Sequence, residues 1–146
     1  MERRTFTKTC VMCLAAGMVP PLVGGCKSTY YTQGSMEPNG ISVLKSEFSY
    51  LKKDQPMIRQ YIIVKNDRLE FPIYLYRFSD REYSALLMKC THQGAELNAS
   101  GDHLHCPSHG SEFDNKGTVS EGPAENNLRS FNAFAESDKV FIDLRQ

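Results

Sequence analysis

The segment Cys90 to Gly110 reads CTHQGAELNASGDHLHCPSHG and holds two of the five cysteines and all four histidines of a 146-residue chain. One Cys and one His stand close together at each end, Cys90 with His92 and Cys106 with His109. Any fold that uses both pairs on one centre must bring two loops face to face. Gly94 permits a sharp turn in the first loop, and Pro107 and Gly110 frame the second. A short extended piece, Asp102 to His105, leads into Cys106, and Asn98 to Asp102 reads as the hairpin tip joining the loops.

Thiolate and imidazole together suit zinc and iron–sulfur clusters. Structural zinc sites space paired ligands two to four residues apart. Cys90-Thr91-His92 leaves a single residue between, and a mixed pair on each loop is unusual there. A two-iron cluster can take sulfur on one iron and nitrogen on the other. A disulfide between Cys90 and Cys106 is the simplest alternative in an exported protein. It leaves His92, His109 and the paired glycines without a role. His103 and His105 alternate with Leu104 and read as polar residues on one strand face.

The remaining pattern is strand-like. Short runs rich in β-branched and aromatic residues occur at 42–47, 60–65, 73–78, 83–89, 129–135 and 139–144. Turn signals separate them at Asn66-Asp67, Ser79-Asp80, Asp114 to Gly117 and Ser137-Asp138. No stretch sustains a helical period with caps. The expectation is an all-β domain of small antiparallel sheets carrying a two-loop cluster-binding subdomain.

CTHQGA followed by CPSHGSEFD resembles the two-box Rieske motif, C-x-H-x-G and C-P-x-H-G-S. Lys116-Gly117 and Glu121-Gly122-Pro123-Ala124 are similar to the family's Gly-Pro-Ala loop. The resemblance runs from about Gly40 to the C-terminus. It implies a Rieske-type [2Fe-2S] cluster, with Cys90 and Cys106 on one iron and His92 and His109 on the other. Ser111 matches the family's serine that hydrogen-bonds a cluster sulfide. Two features depart from high-potential members. Ala95 and Ser108 stand where those members carry cysteines bridging the loops, and Phe113 replaces a tyrosine whose hydroxyl bonds a ligand sulfur. Hydrogen bonds to sulfur raise the potential. The resemblance therefore implies a value in the lower half of the roughly −150 to +300 mV Rieske range.

The first 25 residues form a unit of their own. MERRTFTK, a short apolar run and small residues have the parts of a signal peptide. The run is too short to span a bilayer, and Pro20-Pro21 interrupts it. Val23-Gly24-Gly25-Cys26 resembles a bacterial lipobox, which makes Cys26 the lipidation site. Arg3-Arg4-Thr5-Phe6-Thr7-Lys8 resembles the twin-arginine export signal. Thr7 replaces the usual Leu and Glu2 the usual Ser or Thr, and an ordinary Sec signal is the plainer alternative. Twin-arginine export carries folded proteins, which a cluster inserted before export requires. Residues 26–40 are polar and rich in turn formers, and read as a tether. The Rieske-like domain is expected over 41–146. Cys10 and Cys13 leave with the signal. The chain carries 17 basic and 17 acidic residues. Losing the signal makes it mildly acidic, which gives no basis for nucleic-acid binding.

The resemblance implies electron transfer, by a lipid-anchored protein facing the periplasm or a subunit of a membrane-associated oxidoreductase. Its partner would be a redox protein or a membrane quinol-linked complex, since imidazole ligands carry protons that leave on oxidation. A ferredoxin-like component feeding an oxygenase and a cluster-free binding lipoprotein are the alternatives. A terminal oxygenase needs a further iron site with two histidines and a carboxylate. No His follows His109 in this chain.

Overall fold

The computed structural model describes residues 28–145. Cys10, Cys13, Cys26 and the residues of the expected signal lie outside that range. Fourteen strands run in chain order. They are β1 (Tyr31–Thr32), β2 (Ser35–Glu37), β3 (Gly40–Leu44), β4 (Ser49–Lys52), β5 (Gln55–Ile58), β6 (Tyr61–Val64) and β7 (Ile73–Arg77). They continue as β8 (Tyr83–Leu87), β9 (Asn98–Ser100), β10 (His103–His105), β11 (Glu112–Asp114), β12 (Val119–Glu121), β13 (Ser130–Ala135) and β14 (Lys139–Asp143). A single 3-10 turn, Lys45–Phe48, interrupts them among the described residues. No helix there is long and apolar enough to cross a membrane.

Eight strands form the main sheet in the order β1-β6-β7-β8-β13-β14-β3-β2. Ser130 and Phe131 of β13 pair with β8, and Asn132 to Ala135 pair with β14, so this strand joins the two halves of the sheet. All pairings are antiparallel except β1 on β6. A four-stranded sheet, β12-β11-β10-β9, carries the Cys/His segment. A two-stranded hairpin, β4-β5, stands apart.

Alternation along β6, β7 and β8 creates two cores. Ile62, Val64, Ile73, Leu75 and Ala85 point to one side and pack with Ile41, Val43, Phe48, Val140 and Ile142. Ile63, Tyr74, Tyr76, Leu86 and Met88 point to the other and meet Cys90, Leu97, Leu104, Cys106 and Phe113. The second core fastens the small sheet to the large one. Each fully buried aliphatic or aromatic side chain contributes about 1.5–3 kcal/mol. A hydrogen bond from Tyr74 to the Gly101 carbonyl, 2.7 Å, adds a polar tie at the hairpin tip.

The stretch expected as a tether is laid partly along the sheet. Tyr31 and Thr32 pair with Ile63 and Val64 at one edge, and Ser35 to Glu37 pair with β3 at the other. Polar composition did not prevent this, because an edge strand satisfies half its backbone in the sheet and half in water. Two expected elements change in kind as well as in their bounds. The run at 42–47 ends as a strand at Leu44 and continues as the 3-10 turn. Asn98 to Ser100, expected in a tip, is strand, and the turn falls on Gly101-Asp102, where Gly101 takes φ 65°.

Candidate metal centre

Both Cys/His loops are built on one backbone frame. In the first, the Cys90 amide donates to the Ala95 carbonyl (2.8 Å) and the Gly94 amide to the Cys90 carbonyl (2.9 Å). In the second, the Cys106 amide donates to Ser111 (2.8 Å) and the Gly110 amide to Cys106 (3.0 Å). The cysteine opens each frame, and a glycine with positive φ stands fifth, Gly94 at 78° and Gly110 at 82°. That conformation is strained for a residue with a Cβ. The frames differ in one respect: the histidine is third in the first loop and fourth in the second.

The small sheet sets the loops opposite each other. Cys90 follows β8, whose last residue Leu87 aligns with Ile73 and through it with Val64. Cys106 follows β10 at the end of the β9-β10 pairing, where His105 faces Asn98. The Leu97 amide donates to the Met88 carbonyl (3.0 Å) and closes the base of the first loop. Cys90 and Cys106 are each 2% exposed, unbridged, and within hydrogen-bonding reach of one another. His92 and His109 are exposed above them, with ring centroids 4.9 Å apart at 86°. Two sulfurs thus form a buried floor and two imidazoles an exposed rim.

Cys106 favours thiolate. Burial pushes the Cys106 thiol up, but the Ser108 and His109 amides, the Cys90 sulfur and the Ser108 hydroxyl outweigh it, and its pKa is lowered. Thiolate is the ligand form of cysteine.

A third loop covers the pair. The Ala124 amide donates to Ser111 Oγ at 3.0 Å, and Ser111 is fully buried. Thr91 Oγ1 donates to the Asn126 carbonyl at 2.6 Å. The Leu128 amide returns to Gly117 (2.8 Å), and Asn127 Oδ1 receives the Val119 amide (3.1 Å). The Gly122–Pro123 peptide in this loop is cis. Phe113 is fully buried opposite Leu104 in the β10-β11 register. Ala95 packs partly buried against the same core.

His103 and His105 stay out of the site. They flank buried Leu104 on β10, and His103 Nδ1 lies 3.4 Å from Asp102. Thr91, Asn126 and Tyr74 were not singled out by sequence reasoning. Only the position of Thr91 between two candidate ligands offered a signal. Asp114 was missed as well; its Oδ1 receives the Lys116 and Thr118 amides at 2.9 and 2.8 Å and shapes the β11-β12 turn.

The donor set suits a centre that spreads its ligands. A structural zinc ion takes four protein ligands around one point. Among the described residues no three His, Cys, Asp or Glu side chains group around a single metal position. A two-iron cluster asks only two protein ligands of each iron, two sulfurs and two nitrogens. The paired floor and paired rim supply that division.

A family model of the Rieske [2Fe-2S] domain matches residues 46–132, more than half of the chain. The protein belongs to the Rieske [2Fe-2S] family. Its cofactor is a Rieske-type [2Fe-2S] cluster, and its function is electron transfer through that cluster. The cytochrome b6-f complex iron-sulfur subunit 1 of Nostoc sp. (strain PCC 7120) is 28% identical over 132 residues, covering 85% of this chain and 67% of that protein. The cytochrome b6-f complex iron-sulfur subunit of Synechococcus elongatus is 42% identical over 55 residues, 36% of this chain and 31% of its own length. Among solved structures, the plasma membrane Rieske protein PetC3 of Synechocystis PCC 6803 superposes with a TM-score of 0.50 at 23% identity. That match covers 57% of this Rieske chain and 86% of the other, and shows the common fold.

Proposed function

We propose that Cys90 and Cys106 hold one iron of the cluster and His92 and His109 the other, in a protein anchored to a bacterial membrane through lipid on Cys26 and facing the periplasm. The observation that carries the ligand assignment is the division of the site into a buried sulfur floor and an exposed imidazole rim. When bound, the cluster supplies a one-electron couple. Cys90 and Cys106 keep their sulfurs out of water. His92 and His109 stand where a partner can touch them, and each ring has a second nitrogen able to hold or release a proton. Ser111 Oγ accepts from Ala124, which leaves its own proton to donate toward a sulfide.

The protein would act as an electron carrier or as the redox subunit of a membrane-associated oxidoreductase. The naming of its relatives as cytochrome b6-f subunits supports a partner of that kind. The lipobox-like Val23 to Cys26 and the twin-arginine-like start support anchoring and folded export.

Expression with iron supplied, metal analysis and EPR after dithionite reduction test the ligation. A rhombic Rieske-type signal with two irons per chain is the expected result. An EPR-silent protein holding one zinc, or no metal after anaerobic reconstitution, would overturn it. Mass spectrometry of the Cys26 peptide tests the anchor.

A further inference from the structure

Among the described residues the β4-β5 hairpin pairs with no other strand. Its register sets Ser49 opposite Ile58, Tyr50 opposite Met57, Leu51 opposite Pro56 and Lys52 opposite Gln55. Paired residues share a face, so Leu51, Pro56 and Ile58 lie together on one side. Leu51 is 72% exposed and Ile58 56%, and Pro56 is exposed as well. The other face carries Tyr50, Met57, Lys52 and Gln55 and is covered in part: Tyr50 stacks on the Arg59 guanidinium at 4.5 Å, and Arg59 stacks on Tyr30 at 4.2 Å, while Met57 is 40% exposed. The tip carries Lys52 and Lys53 against a single acid, Asp54. An exposed apolar face beside clustered lysines has the composition of a segment that lies in a bilayer interface.

The start of the described chain points to the occupant. Tyr30 sits at the stem of the hairpin, held by Arg59 and by a 2.6 Å hydrogen bond to Glu47. Only three residues separate it from Cys26, at most about 14 Å of extended chain from one to the other. β1 runs parallel to β6, so the chain upstream of Tyr31 leaves at the end of the sheet where β6 begins. Thr29 and Tyr31 also border Met88, Glu96, Leu97 and Asn98, so the start of the described chain lies between the hairpin stem and the base of the first Cys/His loop.

We propose that the β4-β5 hairpin is a membrane-contact element: Leu51, Pro56 and Ile58 enter the interface of an anionic bilayer, and Lys52 and Lys53 at the tip meet its headgroups. This rests on the anchoring reading given above. The anchor alone would leave the domain free to tumble; the hairpin fixes its orientation on the bilayer.

The chain has no tryptophan, so Leu51→Trp creates a single reporter in the full, processed, cluster-loaded protein. The probe is a vesicle of phosphatidylglycerol and phosphatidylethanolamine doped with brominated phosphatidylcholine. Leu51→Trp should shift to the blue and be quenched, while Ser120→Trp on the exposed edge strand β12 should do neither. Equal behaviour of the two reporters, or an unquenched Leu51→Trp, would overturn the proposal. Adding Lys52→Gln and Lys53→Gln should lower the ratio of inserted to free hairpin by about fivefold per lysine; an unchanged ratio would assign the quenching to the anchor and also overturn it. The Cys26 peptide mass reads the anchor separately. An unmodified Cys26 with quenched Leu51→Trp removes the anchoring reading and leaves the hairpin standing, and lipid on Cys26 with unquenched Leu51→Trp does the reverse.

Discussion

Ser111 Oγ accepts the amide proton of Ala124 across 3.0 Å, and this buried bond joins the second Cys/His loop to the loop that covers it. Ser111→Ala leaves the Ala124 N–H without a partner and should cost about 1–3 kcal/mol of stability, read by denaturant unfolding of the holoprotein. The hydroxyl proton is the part free to reach the cluster, so the midpoint potential should also fall. A potential that does not move would limit Ser111 to its bond with Ala124.

Phe113 is fully buried and carries no donor. The native protein should titrate in the lower half of the roughly −150 to +300 mV range. Phe113→Tyr should raise the potential if its hydroxyl meets a ligand sulfur. A redox titration followed by EPR checks both values, and a native potential near the top of the range would refute the first.

Gly110 and Gly117 both take positive φ but differ in surroundings. A Cβ on Gly110 meets nothing within 4 Å, whereas one on Gly117 would lie 2.9 Å from Leu86 Cδ2 and 3.3 Å from Leu128 Cβ. Gly110→Ala should cost only backbone strain, about 1–2 kcal/mol. Gly117→Ala adds overlap with the core and should cost more, by about 1–3 kcal/mol. Thermal unfolding of the two variants orders them.

Burial, then the neighbouring Tyr76, Tyr61 and Asp102, push the Tyr74 phenol well above its ordinary value. A pKa raised by folding contributes stability that is complete below the unfolded value of about 10 and is lost as pH climbs above it. Stability should therefore fall above about pH 10, by up to about 1.4 kcal/mol per pH unit from this residue. Tyr74→Phe should flatten that loss. At neutral pH it should cost about 0.5–1.5 kcal/mol through the lost bond to Gly101. Denaturant melts between pH 8 and 11 decide it.

The two Cys/His loops were legible as loops because two chemistries, sulfur and imidazole, recur beside turn glycines in 21 residues. The strands β6, β7, β8, β13 and β14 were legible through β-branched and aromatic runs, with ends shifted by one or two residues. The hairpin β4-β5 was not. Its turn places Lys53 and Asp54 at positive φ without a glycine, Pro56 weakens the strand signal, and its exposed apolar residues give no alternation toward a core. β9, β11 and β12 have three residues each, too few to show a period. Thr91 and Asn126 meet across 35 positions of sequence, and nothing local announces such a bond.

On the proposed ligation, the difference in burial between cysteines and histidines makes the centre single-ported. Protein padding lies behind the sulfurs, with Leu97, Leu104 and Phe113 in the way, and tunnelling favours the thin side. Electrons would enter and leave by the same two rings. A donor and an acceptor would then compete for one landing place, and turnover would require each to depart before the other arrives.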